Sequence, residues 1–207
     1  MKCFGFSKQI VAHKRRIMVK ERLNKILLND NIVQSLNDNI DFVISIIPEI
    51  KHIIGFEHNH PHHNLNVWDH TIKALEYSKP DLEIRIALLL HDIGKPFSYQ
   101  DEEVRHFHGH PLVSSQISYK ILRRLAYDEG AIKRIIYLIE NHDNKIDIKN
   151  LHGDLDLVCK LLHIQYADTY AHNPDKIKKR LELLGGIEKE LKEMIKKDEE
   201  TRGIFCE

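Results

Sequence analysis

The sequence predicts an all-α fold, and three observations carry that prediction. Apolar residues recur at spacings of three and four along most of the chain, the period of one helix face. Helix-breaking residues are scarce, with 9 Gly and 6 Pro in 207 residues. Short polar residues able to accept hydrogen bonds from free amides stand just before several of the apolar runs. With 42% apolar and 30% charged residues, the composition is that of a soluble, globular chain. The length suits one domain, with a core over 40–175, N-terminal helices in 1–39 and a long C-terminal helix over 174–198.

The elements follow in order. Residues 1–17 read as a short helix or docked arm. Val19, Leu23, Ile26 and Leu27 mark a helix that ends at the break Asn29-Asp30-Asn31. Ile40, Val43, Ile44 and Ile47 mark another before Pro48. Gly55 to Asn66 is a polar loop carrying His58, His60, His62 and His63, most of which read as surface histidines. Asn66, with Asp69 three residues on, can cap a helix reaching Tyr77. On it, Val67, His70 and Ala74 share a face.

The central stretch runs Ile84-Arg85-Ile86-Ala87-Leu88-Leu89-Leu90-His91-Asp92-Ile93-Gly94-Lys95. Asp81 can cap its start, and Gly94 is expected to end it in the left-handed conformation. His91 falls on the stripe Ile84, Ala87, Leu88 and points inward. A polar loop over 96–109 contains His106 and His108. His110-Pro111 opens a helix whose stripe is Val113, Ile117, Ile121 and Leu125. Ala131 to His142 forms the next, with Ile132, Ile135, Ile136 and Ile139 on the face that His142 continues. After a break at 150–153, Asp154 can cap a helix through Tyr170, with Val158, Leu161, Leu162, Gln165 and Asp168 on one face. Asn173-Pro174 then caps a long amphipathic helix on Ile177, Leu181, Leu184, Ile187, Leu191 and Ile195, which Gly185-Gly186 weakens or bends.

Several function classes are excluded or disfavoured. Lys plus Arg and Asp plus Glu both number 31, so no global basic field exists to hold a long nucleic acid. Local charge still permits a small anionic ligand. No apolar stretch approaches the ~18 residues of a membrane span, and the N-terminus lacks a signal-peptide core. Three widely spaced cysteines, Cys3, Cys159 and Cys206, make no disulfide framework, which fits a cytoplasmic chain.

Histidine is the outlying residue, with 15 in the chain. His70, His91, Asp92, His110, His142 and Asp168 come from five expected helices, each on an inward face or at a helix entrance. Meeting without a cation, they would leave charges and lone pairs unpaired. Neutral imidazole with carboxylate oxygen suits Mn, Fe, Zn or Ni.

In this order, Val67-Trp68-Asp69-His70-Thr71, Leu90-His91-Asp92-Ile93-Gly94-Lys95-Pro96, Phe107-His108-Gly109-His110-Pro111, Glu140-Asn141-His142-Asp143 and Tyr166-Ala167-Asp168 resemble the HD-domain superfamily of metal-dependent phosphohydrolases. The phrases around HDIGKP and GHP look most like the HD region that follows the catalytic head in bacterial tRNA nucleotidyltransferases (CCA-adding enzymes). The chain lacks a Gly-Ser followed by paired Asp, so nucleotide addition is not expected of it.

The resemblance implies a helical bundle around a central metal site. It maps one metal onto His70, His91, Asp92 and Asp168, and a second onto Asp92, His110 and His142, with Asp92 bridging. Two divalent transition metals are implied, of Mn, Fe, Ni, Co or Zn, with Mg admitted. Both imidazoles of the second set are expected within about 6 Å of an Asp92 oxygen. Beside Asp92, Lys95 and His63 are the candidate catalytic residues: Lys95 offsets phosphate charge and His63 hydrogen-bonds substrate or leaving group. The expected activity is hydrolysis of a phosphomonoester or phosphodiester in a small, nucleotide-like substrate, through water activated at the dinuclear centre. The alternatives are a di-iron oxygenase on the same scaffold and a nucleotide-binding regulatory module.

Overall fold

The structure is a computed structural model that describes residues 3–100, 102–148 and 154–203, with side chains described within 13–197 of those spans. The break expected at 150–153 and the side chains of Cys3 and Cys206 lie outside the described residues. The helices are α1 (Cys3–Leu27), α2 (Ile32–Asp38), α3 (Ile40–Ile46), α4 (Val67–Glu76), α5 (Leu82–Leu90), α6 (His110–Arg124), α7 (Glu129–Asn141), α8 (Leu155–Ala171) and α9 (Lys178–Gly203). Short 3₁₀ turns occupy Pro48–His52, Lys95–Phe97 and Pro174–Lys176. Among the described residues there is no strand, only an isolated antiparallel bridge between Gln100 and His106. The fold is all-α. Among the described residues, no helix is long and apolar enough to cross a membrane.

The caps expected at Asn66, Asp81 and Asp154 form, because each supplies an oxygen to an amide that the first helical turn leaves free, whereas Asn173 accepts from Asp175 N and caps the separate turn Pro174–Lys176 rather than α9. Asn66 Oδ1 accepts from Asp69 N at 2.9 Å, Asp81 Oδ1 from Ile84 N at 3.1 Å, and Asp154 Oδ1 from Leu157 N at 3.2 Å. Asn31 likewise caps α2 through Gln34 N at 3.2 Å, so the expected break there is also the start of a helix the periodicity did not show.

α5 lies at the centre and packs against α1, α4, α6, α7 and α8. Partners on every side explain why its sequence is almost continuously apolar rather than amphipathic. Every residue from Ile84 to Leu90 is buried, Arg85 included. That guanidinium is satisfied by the carbonyl of Asn29 at 2.8 Å, the carbonyl of Leu27 and Ser78 Oγ at 3.1 Å, so it caps the C-terminal end of α1.

Besides α2, four elements differ from expectation. α1 is one continuous helix from Cys3 to Leu27, so the described residues of the expected arm and the helix on Val19 form a single element. α5 ends at Leu90, and Gly94 has an ordinary φ of −85°. Its lack of a side chain serves close packing instead: a Cβ there would stand 2.5 Å from Ser114 N and 3.0 Å from the His110 carbonyl. α6 is rotated from its apolar stripe. Ser114, Ser115 and Ser118 join Ile121, Leu122 and Leu125 on the buried face, while Val113 and Ile117 are half-buried. Small serines let α6 approach the turn after α5 closely, and Ser114 Oγ accepts from Gly94 N at 2.9 Å. α9 runs unbroken through Gly185 and Gly186. Leu184, Ile187 and Leu191 bury its inner stripe.

Candidate metal centre

Helix ends deliver most of the candidate side chains. His70 lies in the first turns of α4. His91 and Asp92 directly follow α5, His110 opens α6, His142 directly follows α7, and Asp168 sits near the end of α8. Each of the four imidazoles donates Nδ1–H to a backbone carbonyl: His70 to Ala171 at 3.2 Å, His91 to Leu88 at 2.7 Å, His110 to Phe107 at 2.9 Å and His142 to Ile139 at 2.6 Å. A carbonyl only accepts, so the Nδ1 proton is assigned and every Nε2 is turned to the site. For His91 and His142 the acceptor is a last-turn carbonyl that has lost its helical partner, so helix termination itself aims the ring.

The Nε2 atoms and two carboxylates converge. Asp168 Oδ1 stands 2.8 Å from His70 Nε2 and 3.5 Å from His91 Nε2. Asp92 Oδ2 stands 3.3 Å from His91 Nε2 and 3.8 Å from His70 Nε2. The other oxygen, Asp92 Oδ1, faces the opposite pair, 3.2 Å from His110 Nε2 and 3.8 Å from His142 Nε2. Those two nitrogens are 3.2 Å apart. Ligand atoms about 2.0–2.2 Å from one ion lie roughly 3–3.6 Å from each other, so both sets have the spacing of a coordination sphere.

The donor set fits a cation on a second ground. Both Asp92 oxygens and His91 Nε2 are buried and make no hydrogen bond of acceptable geometry, despite the short approaches of charged neighbours. His110 and His142 present lone pairs to each other, an arrangement that repels unless a cation or proton lies between. Burial pushes His70 below the ordinary histidine value, only partly offset by Asp168. Burial also holds His142 down, against the pull of Asp143. Both are therefore neutral, the form that binds metal. His91 goes the other way: burial lowers it, but Asp92 and Asp168 outweigh that and raise it to about 9. Burial would raise Asp92, yet His91, Lys95 and His110 together hold it well below the usual carboxylate range. The two buried carboxylates thus favour positive charge beside them, part of which the Lys95 ammonium supplies to Asp92.

Lys95 is 5% exposed. Its ammonium lies 2.7 Å from Asp92 Oδ2 and 3.0 Å from His58 Nε2. His58 corrects the reading of a surface loop, since it is 1% exposed. Its Nδ1–H donates to the Leu65 carbonyl at 2.8 Å, so its Nε2 is an acceptor for Lys95. Burial, then the Lys95 charge, lowers His58 to about 2 and keeps it neutral. His63 stacks on His58 with centroids 3.7 Å apart, lies 4.3 Å from the His172 ring, and has a buried Nδ1 without a partner. Burial, then Lys95, pushes His63 far below the ordinary value.

Two further residues were not singled out by sequence. Asp143, 48% exposed, places Oδ2 3.5 Å from His110 Nε2 and 3.7 Å from His142 Nε2. The available signal was a second His-Asp pair directly after a helix. His172 donates Nδ1–H to the Asp168 carbonyl at 2.8 Å and lines the same cavity. That cavity, about 540 Å³ and open to solvent, is lined by Asp92, Lys95, His63, His110, His142 and Asp168. His60, His106 and His108 stand around it as loop residues.

A helical bundle whose helix ends gather histidines and carboxylates around a His-Asp pair is the arrangement of an HD domain. The HD domain family model matches residues 62–198, and the chain belongs to that family. It is 28% identical to a CC-adding tRNA nucleotidyltransferase of Thermus thermophilus over 194 residues, 86% of this chain and 44% of the relative. It is 32% identical to an A-adding tRNA nucleotidyltransferase of Deinococcus radiodurans over 139 residues, 60% of this chain and 32% of the relative. The chain therefore spans less than half the length of these relatives. HD domains are a superfamily of metal-dependent phosphohydrolases, and buried His/Asp groups able to hold a metal are present here.

Proposed function

We propose that this chain is a metal-dependent phosphohydrolase acting on a phosphomonoester or phosphodiester of a nucleotide-like substrate at a dinuclear centre. One observation carries the reading: the two oxygens of buried Asp92 each face a separate pair of imidazole nitrogens, on the wall of an open cavity. In this reading His70, His91, Asp92 and Asp168 would hold one ion. Asp92, His110 and His142 would hold the other, with Asp143 available as a further donor at the rim. Such ions acidify water and clamp a phosphoryl oxygen.

The chain's own residues supply the rest. Asp92 fixes the separation of the two sets through one rigid carboxylate. Lys95 holds a positive charge at the cavity wall, where a phosphate oxygen can approach it, and His58 orients that charge by accepting from its ammonium. His63 is held uncharged by burial and by Lys95, so it serves a leaving group as a hydrogen-bonding imidazole rather than as an imidazolium acid. The nucleotide-like substrate draws support from the tRNA in the names of its relatives.

The test is a phosphohydrolase screen over nucleotides, 2′,3′-cyclic nucleotides and dinucleotides, with Mn, Fe, Ni, Co, Mg and Zn each added to metal-free protein. Turnover of one ester class in the absence of oxygen supports the proposal. Iron content with strictly oxygen-dependent turnover overturns it, as does tight nucleotide binding with no product under any metal.

A further inference from the structure

A second cavity of about 420 Å³ adjoins the first, and the two share Asp143, Asp168 and His172. Its other side is built by the turn Pro174–Lys176 and the start of α9. Lys176, Lys179 and Arg180 line it together with Ile177 and Leu183. The turn is anchored to the histidine loop, because Asn173 N donates to the His62 carbonyl at 2.9 Å and Asn173 Nδ2 to the Pro61 carbonyl at 3.2 Å. The groove is therefore fixed relative to the centre.

Several cations elsewhere in the fold are taken up by carboxylates. Arg123, Arg124 and Arg134 each pair with a carboxylate, and Lys160 bridges Asp81 and Glu83. Among the described residues, Lys176, Lys179 and Arg180 have neither an ion pair nor a side-chain hydrogen bond. Arg180 is half-buried. The planar fork of its guanidinium matches a phosphate.

We infer that this groove binds the second phosphate of a nucleotide chain whose terminal phosphate lies at the metal centre, so that the substrate is a chain end carrying at least two phosphates rather than a mononucleotide. The inference rests on the proposed phosphohydrolase reading and narrows its substrate. Arg180, Lys179 and Lys176 take the internal phosphate, and Ile177 with Leu183 offers an apolar surface to the ribose or base. The balanced charge of the chain, 31 basic and 31 acidic residues, limits the contact to a few phosphates beside the site.

The experiment measures anisotropy of a labelled trinucleotide and a labelled mononucleotide, each ending in a phosphonate that cannot be hydrolysed, on the metal-loaded protein. Wild type should bind the trinucleotide more tightly. Arg180→Ala should weaken trinucleotide binding about 10-fold, lower the salt slope by about 0.7, and leave mononucleotide binding within about twofold. Lys179→Ala should act in the same direction, so the inference does not hang on one variant. Trinucleotide binding no tighter than mononucleotide binding, or unchanged in both variants, overturns the groove. Mononucleotide hydrolysis alongside that result leaves the phosphohydrolase reading standing. If instead the variants lose trinucleotide affinity but no phosphate ester is ever hydrolysed, the groove stands and the hydrolase reading falls.

Discussion

Gly94→Ala should damage the candidate centre without touching any of its donor atoms. The added Cβ would meet Ser114 N at 2.5 Å, Ser114 Oγ at 2.8 Å and the His110 carbonyl at 3.0 Å. Two of these atoms are backbone, so the first turn of α6 must retreat from the turn that carries His91 and Asp92. Overpacking of this kind costs about 1–3 kcal/mol, and weakening the 2.9 Å bond from Gly94 N to Ser114 Oγ adds roughly 1 kcal/mol. A loss of about 2–4 kcal/mol lowers Tm by roughly 4–16 °C in a chain of this size. The retreat moves His110, at the start of α6, and leaves His70 and Asp168 in place. Metal loss should therefore fall first on the His110–His142 pair. Urea unfolding gives the stability, and elemental analysis gives the metal bound per chain. Gly186→Ala is the matched control, because its Cβ meets nothing within 4 Å in the middle of α9. That change should stabilise by about 0.4–1 kcal/mol. Wild-type stability and metal content in Gly94→Ala would refute the close-packing account of both Gly94 and the serine face of α6.

Three other outcomes are expected. His110→Ala should reduce bound metal from two ions to one per chain, because His70, His91, Asp92 and Asp168 remain; retention of two ions would remove His110 from the second set. His58→Ala should keep its metal and lose roughly 10-fold in turnover, an effect of about 1.4 kcal/mol, whereas His58→Gln, whose carbonyl can still accept from Lys95, should keep more; equal turnover in both variants would exclude the acceptor role. Asp81→Ala should cost about 1 kcal/mol as a lost cap on α5. Burial raises Asp81, but Lys160 and the Ile84 amide outweigh it, so the folded value lies below the ordinary 3.8. A depressed carboxylate stabilises fully above its unfolded value and loses that contribution as pH falls through the folded one. The stability gap between wild type and Asp81→Ala should thus be constant near neutrality and close below about pH 4; a gap that widens in acid would contradict the assignment.

Local chemistry was legible where it depends on neighbours in sequence. The caps at Asn66, Asp81 and Asp154 need only an oxygen and an amide three residues on. The inward face of α8, from Val158 to Asp168, needs only the helical period. His91 and His142 are aimed by carbonyls three residues behind them, so their inward direction could be read from the chain. What the sequence by itself determined is therefore the helical class, most helix starts and the convergence of histidines and carboxylates toward one interior.

Tertiary structure decided the rest, because it turns on close approach and on loops. The buried face of α6 is set by how near Ser114 can come to Gly94, which hydropathy does not measure, since serine and glycine score as neither core nor surface. His110 depends on the Phe107 carbonyl and on Gly109 at φ 76°, both properties of a loop without periodicity. His58 lies in a polar run and is buried only because the loop folds back, with the Phe56 carbonyl accepting from Val67 N at 2.9 Å. Lys95 sits at the same sequence distance from Asp92 whether it points to water or to the carboxylate. Only the packed bundle, by taking water away from Asp92, turns it inward.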